Sequence, residues 1–189
     1  MRRALVVALI ALAAGPVHAE PATYAIDPSH TFVTFEASHL GTSTLRGRFD
    51  KKEGAVMLDK AARSGKAEIS IDAGSIKTGA PALDARLRDK DFFNTAEFGS
   101  VTFTADNFSF DGDKVREVAG MLTLLGRTQP VTLRATNYNC YINPLLKRET
   151  CGGDFEATIA RSRFGMTSGL DRGLPDEIRL LIQIEAIKQ

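Results

Sequence analysis

Apolar and polar residues alternate with a period of two along most of the chain, the pattern of strands with one face buried. From Thr31 to His39, Val33, Phe35, Ala37 and His39 share one face, and Phe32, Thr34, Glu36 and Ser38 share the other. Leu45, Gly47 and Phe49 alternate with Arg46 and Arg48. Val56 and Leu58 follow what reads as a turn at Lys51-Lys52-Glu53-Gly54, predicting sequential hairpin strands. Ala67, Ile69 and Ile71 continue the pattern, as do Val101, Phe103 and Ala105, with further segments at Val118 to Leu125, Val131 to Tyr138, Phe155 to Arg161 and Ile178 to Ile187. In the last of these Ile178, Leu180, Ile182 and Ile184 face one way and Arg179, Gln183 and Glu185 the other, which marks an antiparallel strand with a solvated side.

One stretch breaks the period. Leu83 and Leu87 lie four apart between Pro81 and Phe93, among Asp84, Arg86, Arg88 and Lys90, which predicts a short amphipathic helix near residues 81–90 lying across one end of the sheet. Nine or ten strands with so little helix imply an all-β sandwich or closed barrel. An antiparallel barrel of about eight strands has an interior that side chains fill, or that holds one small ligand.

The N-terminus adds a different signal. Met1-Arg2-Arg3, an apolar run from Ala4 to Ala14, and Val17-His18-Ala19 have the three parts of a secretory signal peptide, with cleavage expected after Ala19. The run is too short to span a bilayer, which takes about 20 residues. Residues 20–189 then form the mature domain, a size that suits one core. Cleavage removes two of the 24 basic residues and none of the 23 acidic ones, so the net charge becomes −1 and does not favour nucleic acid. The only two cysteines, Cys140 and Cys151, are expected to pair as a disulfide in an oxidising compartment, with two free thiols as the alternative; no metal site competes.

Catalytic signatures are hard to find. His30 and His39 are the only histidines of the mature chain, and an extended segment between them keeps them up to about 30 Å apart. The sequence holds no Gly-x-Ser-x-Gly elbow, His-Glu-x-x-His pair or glycine-rich phosphate loop, and no catalytic residue is assigned. The 11 Phe and absent Trp are more telling, because several Phe share strand faces with Gly or Ala. Large beside small suits either a packed taper or an open channel, and composition alone favours the packed taper.

The run His39-Leu40-Gly41-Thr42-Ser43-Thr44-Leu45-Arg46-Gly47-Arg48-Phe49 resembles a signature of the YceI-like family. Ser75-Ile76-Lys77-Thr78-Gly79, Asp91-Phe92-Phe93-Asn94 with Val101-Thr102-Phe103, Gly120 to Val131, and Arg161-Ser162-Arg163-Phe164-Gly165-Met166 resemble its further signatures, in the same order. Glu97-Phe98-Gly99 departs from the family pattern, which usually has a proline after the aromatic, and only some members carry a Cys140 to Cys151 insert. The resemblance implies a lipocalin-like antiparallel barrel, commonly periplasmic in bacteria, whose elongated interior takes a polyisoprenoid or similar amphiphile and which binds without turnover. On that reading the apolar lining is Val33, Phe35, Leu45, Phe49, Leu122, Leu124, Phe164 and Ile182, with His39 and Arg161 as contacts to the head group of an isoprenoid quinone or prenyl phosphate. The bound lipid is a ligand, and no cofactor is expected. Two rivals stay open: an enzyme acting on an isoprenoid, and a structural barrel whose interior is full. A homodimer also stays open.

Overall fold

The computed structural model describes residues 20–189, so the expected signal peptide at residues 1–19 lies outside the described residues. Eleven strands occur among them: β1 (Ala22–Ile26), β2 (Phe32–His39), β3 (Ser43–Phe49), β4 (Lys52–Asp59), β5 (Ser64–Asp72), β6 (Ile76–Lys77), β7 (Ser100–Asp111), β8 (Lys114–Leu124), β9 (Arg127–Ile142), β10 (Glu149–Ala160) and β11 (Glu177–Lys188). The helix α1 spans Pro81–Arg88.

Eleven segments make an eight-strand ring because three positions in it are each shared by two short strands. The edge of β11 pairs with β2 through Arg179 to Gln183 and then with β1 through Ala186 to Lys188. Likewise β3 and β4 follow one another, as do β5 and β6, while β7 to β11 each fill a position alone. The β1–β11 pairing closes the antiparallel barrel, so no long edge is left to pair with another chain.

The joints between the short strands are hydrogen-bonded. Between β1 and β2 the Asp27 N–H donates to the Glu185 carbonyl at 2.8 Å, and the Thr31 hydroxyl donates to the same oxygen at 3.3 Å. The chain therefore steps sideways without leaving β11. Asp27 also accepts from the Ser29 N–H at 2.9 Å and the Ser29 hydroxyl at 2.5 Å, which fixes the turn. At a second joint only Asp50 and Lys51 separate β3 from β4, so the turn expected over Lys51 to Gly54 is mostly strand. Gly54 lies in β4 at φ +148°, where a Cβ would stand 2.2 Å from the Glu68 carbonyl oxygen. It serves a close backbone approach rather than a turn.

Alternation places the faces as the sequence predicts. Outward residues pair on the surface: Arg46 Nε lies 2.7 Å from Glu36 Oε1, and Arg179 bridges Glu36 at 3.3 Å and Glu156 at 2.8 Å. Inward residues form one large apolar cluster around Phe35, Phe49, Phe103, Leu122 and Phe155. Register shifts in β7 and in the β9–β10 pairing mark bulges, which bend strands and help a sheet curl into a closed ring.

The two ends differ. At one end lie the β2–β3 turn, α1 with residues 89–99, and the β10–β11 connection over residues 161–176. Pro81 opens α1 at a position where its missing N–H costs nothing, and Leu87 is buried. Arg88 ties the helix to the wall, its Nε donating to the Gly74 carbonyl at 2.9 Å and Nη2 to that of Ile76 at 3.1 Å. The other end carries the short β4–β5 and β7–β8 turns and the β9–β10 hairpin.

Candidate functional site

The barrel is hollow. Its lumen holds a cavity of about 260 Å³ lined by side chains of every position in the ring, almost all of them hydrocarbon. The phenylalanines explain why the interior is not plugged. Phe35 lies across from Gly47 on the neighbouring strand, so close that a Gly47 Cβ would stand 2.3 Å from its ring. Phe103 folds in the same way over Gly120, with its Cζ at 2.7 Å from where a Cβ would be. Each ring is thus seated over a glycine, where a larger residue would collide with it.

One end of the lumen is closed. Tyr24, Leu58, Val115 and Cys151 are all buried and form its floor. The Tyr24 hydroxyl donates to Glu149 Oε2 at 2.7 Å, and Lys60 contacts the other oxygen of that carboxylate. Burial, with the Glu149 hydrogen bond and charge, pushes the Tyr24 phenol well above its ordinary range. Burial likewise raises Tyr138 to about 12, so both rings present neutral faces to the cavity. The Cys140–Cys151 disulfide closes the same end, joining directly opposed residues of β9 and β10 with Cα atoms 4.1 Å apart. Glu149 and the two sulfurs lie close enough together to hold a metal ion, but sulfurs bonded to each other are not thiolate ligands.

The other end is the mouth. Among the described residues Ser38 and His39 are the only lining residues that are exposed, and Leu45, Leu174 and Pro175 stand half-buried beside them. Just inside lies Arg161. The structure ends β10 at Ala160, so Arg161 is not the strand terminus expected; it opens a 3-10 turn over Arg161–Phe164. Its side chain is 5% exposed. Nε donates to the Pro175 carbonyl at 2.7 Å and Nη1 to the Met166 carbonyl at 2.9 Å, while the buried Nη2 has no partner among the described residues. Among the described residues no carboxylate is bonded to it. Asp176 is the near acid, yet its oxygens accept from the Ser162 N–H at 2.8 Å and the Ser162 hydroxyl at 2.7 Å. Desolvation pulls the guanidinium below its usual range, and the Asp176 charge opposes that. The result is a cation in an apolar chamber with one nitrogen, Nη2, unpartnered among the described residues.

Val33, Phe35, His39, Leu45, Phe49, Leu122, Leu124, Arg161 and Ile182 all reach the cavity. Phe164 does not. It is buried in the core beside the lumen, because strand alternation stops at Ala160 and no longer decides which way a residue of the 3-10 turn faces. His39 lines the cavity at its rim, where it is exposed. Several lining residues escape the sequence reading: Tyr24, Thr31, Phe93, Met166, Leu174 and Pro175. Tyr24 and Ile26 do alternate with Thr23 and Ala25, a short period-two signal that identifies β1 in hindsight.

Among known proteins, the Salmonella arizonae protein YceI is 33% identical over 171 residues, covering 89% of this chain and 88% of its own. The crystal structure of Campylobacter jejuni YceI superposes with a TM-score of 0.69 at 26% identity, over 80% of this chain and 90% of that one. Burkholderia cenocepacia BcnA has the same fold, with a TM-score of 0.71 at 23% identity over 85% of this chain and 99% of that one. So does a polyisoprenoid-binding domain from Saccharophagus degradans, with a TM-score of 0.63 at 16% identity over 90% of this chain and all of that one. The YceI-like domain profile matches residues 24–186, from β1 into β11 and so nearly all of the closed barrel, and the chain belongs to that family.

Proposed function

We propose that this protein binds a polyisoprenoid, such as an isoprenoid quinone or prenyl phosphate, or a similar long-chain amphiphile, with the tail in the lumen and the head at Arg161 inside the mouth. The observation that carries the proposal is the combination at that mouth: a hydrocarbon tunnel closed at its far end and, near its opening, one buried guanidinium nitrogen without a partner. A tail gains about 0.8 kcal/mol per buried CH₂ without any directional contact, so the tunnel is tolerant of chain type. The head supplies what Arg161 lacks. An unsatisfied buried donor costs about 1–3 kcal/mol, more when charged, and a phosphate or quinone oxygen placed on Nη2 removes that cost. His39 at the rim is the second polar contact. The same fold in a domain described as polyisoprenoid-binding supports the ligand class.

The reading is of binding without turnover. The protein takes up its ligand after export to the periplasm, which the basic, apolar and small-residue pattern of residues 1–19 supports; a mature N-terminus other than Glu20 on the exported protein contradicts that part. The test of the site is a comparison of geranylgeranyl phosphate with a head-free hydrocarbon of equal length, measured by displacement of a fluorescent fatty probe. Replacing Arg161 by Met is expected to weaken the phosphate about 10- to 150-fold and to leave the hydrocarbon unchanged. Equal losses for both ligands, or none for the phosphate, refute the head-group assignment. Recovery of a chemically altered ligand refutes binding without turnover.

A further inference from the structure

At the closed end of the barrel, the β9–β10 hairpin exposes apolar side chains where hairpin tips are ordinarily polar. Leu145 is 89% exposed, Ile142 65%, Leu146 45% and Tyr141 41%. The tip is held in shape. Asn143 Oδ1 accepts from the N–H groups of Leu145 at 2.9 Å and Leu146 at 3.0 Å, and its carbonyl accepts from the Lys147 N–H at 2.8 Å. The Cys140–Cys151 disulfide staples the base of the hairpin. Directly behind the leucines come Lys147 and Arg148, both exposed, and neither forms an ion pair among the described residues. The next acid, Glu149, is engaged by Lys60 and Tyr24, so it does not neutralise them.

We propose that this stapled finger docks the protein on the surface of an anionic bilayer, with Ile142, Leu145 and Leu146 entering the interfacial layer and Lys147 and Arg148 meeting lipid phosphates. Both the chemistry and the area favour a bilayer over a protein. A convex turn offering four side chains falls far short of the ~800 Å² per partner of a stable protein interface. A bilayer requires only a few apolar groups backed by basic ones, the arrangement present here. A rigid tip also loses little entropy when it inserts. Because the finger and the mouth lie at opposite ends, the docked barrel holds its mouth away from the bilayer.

This inference does not depend on what fills the lumen. It is tested by sedimentation with vesicles of phosphatidylcholine alone and of phosphatidylcholine mixed with phosphatidylglycerol. The oxidised wild-type protein is expected to sediment with the mixed vesicles and to be released by salt. Leu145→Ser with Leu146→Ser is expected to lower the partition coefficient at least tenfold, and Lys147→Glu with Arg148→Glu about 25-fold or more. All four side chains are at the surface, so melting temperature and isoprenoid uptake should be unchanged in both variants. Arg161→Met should dock like the wild type. The proposal is overturned if the wild type ignores anionic vesicles, if the leucine variant binds as well as the wild type, or if binding tracks Arg161 rather than the finger. A finger whose substitutions disturb binding to a protein but not to vesicles overturns it as well.

Discussion

Gly47 faces inward on β3, directly across from Phe35, and a methyl group on it would lie 2.3 Å from Phe35 Cζ and 2.5 Å from Cε1. Carbon atoms in contact sit about 3.5–4 Å apart, so in Gly47→Ala the ring must move by more than an ångström. The wall behind it is filled, with the Phe49 ring centroid 6.1 Å away, and the open direction is the lumen. Overpacking costs about 1–3 kcal/mol, while replacing a strand glycine by alanine returns about 0.5–1 kcal/mol. The net loss is about 1 kcal/mol, a fall of about 2–4 °C in Tm for a domain of this size. Binding should suffer more. If the displaced ring excludes three carbons of the tail at about 0.8 kcal/mol each, affinity falls about 60-fold. Urea denaturation and probe displacement on the same sample separate the two effects. Unchanged affinity for a long isoprenoid, with Phe35 shown to have moved, refutes the view that the ring's position against Gly47 keeps the tunnel open.

The second glycine in the wall should behave differently. A Cβ on Gly120 meets the Thr104 carbonyl oxygen at 2.4 Å as well as the Phe103 ring, so Gly120→Ala is expected to strain the β7–β8 pairing and cost about 2–3 kcal/mol, read as a lower urea midpoint. Removing the disulfide by Cys140→Ser with Cys151→Ser frees a loop of 11 residues' separation and should cost about 3 kcal/mol, or about 6–12 °C in Tm. A shift under 2 °C contradicts the estimate. Stability should also fall in acid. The Ser29 hydroxyl and N–H, with His30, hold Asp27 at about 2 against an ordinary 3.8, so its stabilisation is fully present above the ordinary value and is lost as pH falls through the folded one. Its share is about 1–2 kcal/mol after allowance for its partial exposure. Glu36 and Glu149 are also held low and act in the same direction. Urea midpoints that drop below pH 4 agree with this; a midpoint that rises as pH falls from 4 to 2 does not.

Which faces look inward was legible because the strand period is local. Val33, Phe35, Leu122, Leu124 and Ile182 need only the alternation of their own segments to reach the lumen. The same logic failed at Phe164, one turn past the point where the backbone changes period, and at Gly54, whose positive φ serves contact with β5 rather than a hairpin turn. The doubling of strands in three ring positions was hidden, since the joint at Asp27 to Thr31 depends on Glu185, over 150 residues away. Arg161 shows the limit most sharply. Its residue type and approximate place were legible, but its lone free nitrogen depends on the Met166 and Pro175 carbonyls and on the engagement of Asp176 by Ser162. Those are tertiary contacts that no spacing encodes.

The central claim is that the barrel carries one long apolar chain along its axis. Mass spectrometry of an organic-solvent extract of the protein purified from its exporting host tests this most directly. The account predicts one molar equivalent of a polyisoprenoid-type amphiphile per barrel, and a fraction of that from Gly47→Ala. An extract free of lipid, from a protein that also takes up no long-chain isoprenoid when one is offered, contradicts it.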